Sequence, residues 1–182
     1  MTVTPQNEII NFWFKEIAAE KWWLKDLAFD QEIKTRFASI HSAAHKAELF
    51  TWRKTALGRL AEIIVLDQFS RNMFRDTPQA FAYDAIALVL AQEAVALGVD
   101  RQVSDSQRSF FYLPFMHSES RLIHQQALML YEKLGDATSL AFEIKHQDII
   151  KQFGRYPHRN IILGRASTAE ELTFLQQPGS SF

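Results

Sequence analysis

Ala56-Leu-Gly-Arg-Leu-Ala-Glu-Ile-Ile-Val-Leu-Asp-Gln-Phe-Ser-Arg-Asn72 is the stretch on which the fold turns. Leu57, Leu60 and Ile64 recur at three- and four-residue steps, the period of an α-helix. Ile63-Ile-Val-Leu66 is apolar over a full turn, so a helix here is expected to be enclosed on every side. Asp67 and Gln68 follow without a break. Asp67 continues the stripe, and Arg71 stands four residues beyond it, the favourable order for an ion pair on one helix face. One reading is a buried structural pair that helps end the helix, since charges taken out of water are normally paired. The other is that Asp67, Gln68 and Arg71, with Asn72 and Arg75, line one wall of a pocket.

Outward from this segment the helical period holds along most of the chain, and strict alternation over a strand length is scarce. An all-α fold of about seven to nine helices is expected. The first helix is predicted over 5–18, with Pro5 in the first turn, where its missing N–H costs nothing, and Ile9, Ile10, Trp13 and Ile17 inward. A second covers 30–48 on the stripe Ile33, Phe37, Ile40 and Ala44, and the third covers 55–72. Thr77-Pro78 reads as a cap and first residue of a fourth, carrying Phe81, Ile86, Leu88, Leu90 and Val95 to Gly98. A short helix after Ser104-Asp105 should be closed by Pro114. Two more, over 118–134 and 136–153, end at Gly135 and Gly154, and Thr168-Ala-Glu-Glu171 has the spacing of a capping box for a last one. Leu97-Gly98 and Leu134-Gly135 are separated by close to the period of two-helix repeats. That hints at stacked helical hairpins, without amounting to a repeat array.

Composition narrows the function classes. The chain has 182 residues, 47% hydrophobic, with fifteen Phe and four Trp, enough for one helical domain over 1–182 with a core of ordinary size. Cysteine is absent, which excludes a disulfide scaffold, a cysteine nucleophile and thiolate metal sites. Twenty basic residues against twenty-one acidic ones leave a net charge of −1, with no bulk basicity for nucleic acid. The longest apolar runs are a few residues, far short of a membrane span. The start, Met1-Thr-Val-Thr-Pro-Gln-Asn7, lacks the basic and apolar regions of a secretory signal, so a cytoplasmic location is expected. Trp22 and Trp23 are adjacent and cannot share a helix face, which leaves room for a homo-oligomer.

Charge is nevertheless uneven. Residues 149–169 hold Lys151, Arg155, Arg159 and Arg165 and no acid, a charge of +4, which leaves −5 on the rest of the chain. Within that window lies Phe153-Gly-Arg-Tyr-Pro-His-Arg-Asn160, beside an Ile161-Ile-Leu163 run that pulls Arg155, His158, Arg159 and Asn160 toward the core. Pairing with Asp67, Asp84 or Glu119 would explain these arginines. So would a site for a carboxylate or phosphate, which guanidinium forks match bidentately.

Three further features bear on chemistry. His146 shares a face with Phe142, Ile149, Ile150 and Phe153, which makes it either a satisfied core histidine or an acid–base group with a perturbed pKa. In Phe115-Met-His-Ser-Glu119, Ser118 reads as a helix N-cap with Glu119 in the first turn and His117 just outside. Their adjacency does not make a hydrolytic triad, which is a matter of spatial geometry. His41 and His45 have chelating i, i+4 spacing, but beside Ala43, Ala44 and Lys46 they read as surface residues. A set of His117, Glu119, His146 and His158 would need three segments to meet. No metal and no cofactor is expected.

The runs Asn11-Phe-Trp-Phe14, Leu66-Asp-Gln-Phe-Ser-Arg-Asn72, Phe110-Phe-Tyr-Leu-Pro-Phe-Met-His-Ser-Glu119, the Phe153–Asn160 motif and Leu163-Gly-Arg165 together resemble an uncharacterised, widespread bacterial family classed as a domain of unknown function. The resemblance covers nearly the whole chain. It implies a tetratricopeptide-like helical fold and brings no activity with it. Ser70 stands where that family commonly has proline.

Two functional readings follow. The first is a binding module whose concave face carries Asp67, Gln68, Arg71, Asn72, Arg75, Ser118, Arg155, His158, Arg159 and Asn160 for an anionic small molecule or peptide. The second is a hydrolase or transferase for a carboxylate- or phosphate-bearing substrate. It would use His117 or His146 as acid or base, oriented by Glu119 or Asp67.

Overall fold

The computed structural model describes residues 4–181; Met1 to Val3, part of the N-terminal stretch read above, and Phe182 lie outside them. Helix α1 is Pro5–Asn11, which widens into a π-helical turn, Phe12–Glu16, before Ile17 turns extended. Ile9, Ile10, Phe12 and Trp13 are all buried there. A 3-10 segment, Ala19–Trp23, half-buries Trp22, whose Nε1–H donates to the Trp13 carbonyl at 2.9 Å, and leaves Trp23 exposed.

Helix α2, Leu27–His45, starts earlier than the apolar stripe alone predicts, because Asp26 is its cap and accepts from the Ala28 and Phe29 N–H groups. Helix α3 begins as Ala56–Ile64 under a Thr55 cap, continues as a second π-helical turn, Val65–Phe69, and closes as Ser70–Met73. Residues 60–70 are buried without exception, as the apolar turn predicts. Helix α1, helix α2 and the 3-10 segment Phe50–Lys54 all pack on α3, so its polar side chains must find partners within the protein.

Helix α4 is Asp84–Ala96, α5 is Asp105–Met116, α6 is Arg121–Leu134, α7 is Ala137–Phe153 and α8 is Ala169–Leu175. Each of α4 to α6 packs on the next, the Phe153 and Phe174 rings meet between α7 and α8, and α4 and α5 also cover α3. The all-α expectation holds, with no strand among the described residues. Gly98, Gly135 and Gly154 end their helices with positive φ, and Thr168 with Glu171 forms the predicted capping box.

Local signals misplace several boundaries. Thr77-Pro78 opens only a 3-10 turn, Pro78–Ala80, and the Thr77 hydroxyl donates to the Phe74 carbonyl and caps nothing; α4 starts at Asp84, with Ile86 exposed. Pro114 lies inside α5 and does not close it. Phe110 to Met116 are all buried, and that packing carries the helix past the proline. His41 is buried, not on the surface: its Nε2–H donates to Ser70 Oγ at 2.8 Å, because the Ser70 O–H is committed to the Leu66 carbonyl at 2.6 Å.

Candidate functional site

The π turn in α3 is where the site begins. Its wider ring of hydrogen bonds displaces side chains from regular helical positions, and such turns recur at functional sites. Asp67, 1% exposed, accepts from Gln68 Nε2 and from His117 Nδ1 at 2.7 Å. Its carboxylate is ion-paired with Arg71 Nη1 at 3.2 Å, while the same Nη1 donates to the Asp67 backbone carbonyl at 2.7 Å. The predicted Asp67–Arg71 pair is therefore present. Burial alone would raise the Asp67 carboxyl, but Arg71 and His117 more than reverse that and hold it well below the usual carboxylate range.

His117 caps the C-terminal end of α5 through its N–H to the Leu113 carbonyl, which places its ring between α3 and the following loop. With Asp67 ionised, Nδ1 carries the proton and donates it. Nε2 has no protein partner among the described residues. Burial first, and the Arg71 charge second, lower the pKa of His117; Asp67 opposes them and does not cancel them. A neutral imidazole with its lone pair on Nε2 can accept a proton.

The neighbouring residues depart from their predicted roles. Ser120, not Ser118, caps α6, accepting from the Ile123 N–H. Glu119 lies before the helix, accepting the Tyr156 N–H at 2.8 Å and both arms of Arg165 at 2.6 and 3.0 Å. It does not orient His117; Asp67 does. Beneath the loop, fully buried His124 donates from Nε2 to the Ser118 carbonyl and meets Glu143 Oε1 through Nδ1, both at 2.8 Å. His124 and Glu143 were not singled out in the sequence. Their signal was positional, since Glu143 shares the inward face of α7 with Gln147 and Ile150.

The arginines separate into two kinds. Arg71 forks onto Asp84 at 3.0 and 3.0 Å, Arg75 onto Asp30, which also takes Asn72 Nδ2, and Arg155 onto Glu171 at 2.6 and 2.8 Å. Asn160 also donates to Glu171, and its side-chain oxygen accepts from Arg165. Arg75, Asn72 and Arg155 are thus consumed at separate places, and the structure does not bring them onto one wall with Arg71. Arg159 differs. Its guanidinium lies between the Phe81 and Tyr156 rings, 4.6 Å from each, reaches Asp84 only at 3.4 Å and the His117 carbonyl at 3.1 Å, and keeps a buried Nε without a partner. Burial and the nearby Arg71 charge lower its pKa from the ordinary value.

Arg159 and His117 line a solvent-open groove of about 360 Å³ together with Asp84, Ser118 and Glu119. The rest of the lining is apolar, built from Pro78, Phe81, Ala82, Ala85, Leu88, Pro114 and Leu163. A second depression, of about 340 Å³ between Gln152 and Phe174, contains none of the predicted residues. His146 is outside the groove lining. It is a core histidine whose Nδ1–H donates to the Phe142 carbonyl at 2.8 Å, and burial pushes its pKa down to about 3. Burial and Arg159 hold His158 at about 4. Among the described residues no group of three or more His, Cys, Asp or Glu is placed to hold a metal, and no helix is long and apolar enough to cross a membrane.

Comparison with known proteins gives the family without a reaction. No curated protein matches the chain. The solved structure of the protein of unknown function ATU0120 from Agrobacterium tumefaciens is similar over 94% of this chain and 96% of its own, at 42% identity and a TM-score of 0.90. The family model for a bacterial protein of unknown function, DUF924, matches residues 9–179. With nearly its whole length matched, from the buried end of α1 to beyond α8, the chain belongs to the bacterial DUF924 family of unknown function.

Proposed function

We propose that the groove between α4 and the His117–Glu119 loop binds a small molecule through an anionic group, with Arg159 as its anchor. The supporting observation is the incomplete hydrogen bonding of Arg159, a residue 6% exposed and lining the groove, beside neighbours whose forks are filled. The volume suits a small molecule better than a long peptide. Titrating the protein with acetate and with inorganic phosphate, and following the His117 ring and Arg159 guanidinium by NMR, tests the reading. Both signals should move on saturation. Arg159→Lys, which keeps the charge and loses the fork, should weaken binding at least tenfold while remaining folded, and Arg155→Ala should leave it intact. Silent Arg159 and His117 signals, or equal affinity in Arg159→Lys, would overturn the proposal.

A second reading, acid–base catalysis on the same ligand, is favoured by the Asp67–His117 contact at 2.7 Å, which leaves Nε2 as the free ring nitrogen. Here His117 acts as general base, Asp67 holds its tautomer, and Arg159 steadies negative charge. A panel of ester, amide and phosphoester substrates compared across wild type, His117→Ala and His146→Ala decides it. Turnover lost only in His117→Ala supports catalysis; activity unchanged in both variants removes the histidines from any mechanism.

A further inference from the structure

We infer that the ligand of this groove is an amphipathic monocarboxylate, one planar carboxylate head on an apolar body. This rests on the anion-binding reading and adds what the rest of the groove requires. Two properties of the lining carry it.

The first is charge. The groove brings Arg159 into play, but Asp84 and Glu119 are lined up with it. Both carboxylates are paired with arginine forks, Asp84 with Arg71 and Glu119 with Arg165. With Asp67 beneath, the three acids balance Arg71, Arg159 and Arg165, so the site offers one incompletely used fork and no surplus of positive charge. A dianionic phosphate would sit against two like charges and would need more cationic partners than are present. A carboxylate brings a single charge, and its two in-plane oxygens match one guanidinium.

The second is the wall. Phe81, Leu88 and Leu163 line the same groove as the polar groups, and the Phe81 ring lies against the Arg159 guanidinium. A bare acetate held at Arg159 would leave that apolar surface in water. A ligand with a hydrocarbon body would cover it, at about 0.8 kcal/mol per buried methylene, or close to fourfold in affinity for each. The polar groups thus select the head and the apolar lining selects the body.

Four probes separate the elements of this inference: acetate, hexanoate, inorganic phosphate and hexyl phosphate, each titrated by NMR on the full chain. Hexanoate should bind tightest, at least tenfold tighter than acetate, and acetate should bind no more weakly than phosphate. Leu163→Ala should narrow the gap between hexanoate and acetate without weakening acetate. Ala85→Glu, at an exposed wall position where folding is not at stake, should weaken hexanoate more than acetate. Equal binding of acetate and hexanoate, or tighter binding of the phosphates, would overturn the monocarboxylate assignment while leaving the anion site standing. If none of the four moves the Arg159 and His117 signals, the anion-binding reading itself fails.

Discussion

Asp67 Oδ1 and His117 Nδ1 are 2.7 Å apart, although fifty residues separate them in the chain. The contact ties the π turn of α3 to the end of α5, and its two members should respond differently to removal. Asp67→Ala leaves Arg71 and the polar shell around it without their buried anion, at an expected cost of about 3 kcal/mol or more. His117→Ala leaves Asp67 paired with Arg71 and Gln68, at about 1 kcal/mol. Urea denaturation of the two variants checks this; equal losses would mark His117 as a strut of the fold and weaken every functional role given to it.

Acid should destabilise the protein well before its carboxylates titrate. Burial holds His41 and His158 at about 4 and His146 at about 3. The unfolded chain takes up protons at these sites once pH falls below about 6.5, while the folded chain does not. Stability therefore declines from pH 6.5 downward, with a slope of up to about 1.4 kcal/mol per pH unit for each histidine, until the folded-state values are reached. His41→Gln retains a donor for Ser70 and should remove one proton from that slope between pH 6.5 and 4. A parallel slope in the variant would contradict the assignment.

Helix α8 should keep its anchor until the solution is strongly acid. Glu171, held at about 2 mainly by the Arg155 fork, also accepts the Thr168 N–H in the capping box. Its folded-state pKa lies below the unfolded one, so its contribution is present above about pH 4.5 and lost as pH falls through 2. Arg155→Ala should lower thermal stability at pH 7 and raise the pH of acid unfolding, and Thr168→Ala should cost about 1 kcal/mol. Hydrogen exchange over 169–175 gives the local readout; protection unchanged in both variants would show that the pair does not anchor the helix.

Gly58 admits no side chain. A Cβ there would lie 2.1 Å from the Trp52 carbonyl oxygen, a backbone atom that cannot swing away. Gly58→Ala should cost about 3 kcal/mol by forcing α3 and the 3-10 segment Phe50–Lys54 apart. Calorimetry tests it, and a change below about 0.5 kcal/mol would mean that the junction relaxes freely.

The sequence carried the helices better than their ends. An enclosed α3 was legible because Ile63 to Leu66 leaves no polar face, and Asp67–Arg71 was legible because both partners lie within one helical turn. His117–Asp67, Arg159–Asp84 and Arg155–Glu171 join residues far apart in the chain, so spacing alone could not pair them. Ser118 and Ser120 are equally good caps on paper; the choice was made by Glu119, drawn back to the Tyr156 N–H and Arg165. The cluster of four polar residues at 155–160 was visible, but not that Arg155 and Arg159 face different partners.

The widened turn at Val65–Phe69 makes the spacing of α3 itself a determinant of the site. Each residue of a regular helix advances the chain by about 100°. Because the wide turn takes up one extra residue, winding 65–69 as regular helix at unchanged length would rotate all that follows, swinging Arg71 away from Asp84 and Ser70 away from His41, though every side chain concerned was still encoded. The local winding of the chain at this point is therefore as much a part of the site's specification as residue identity.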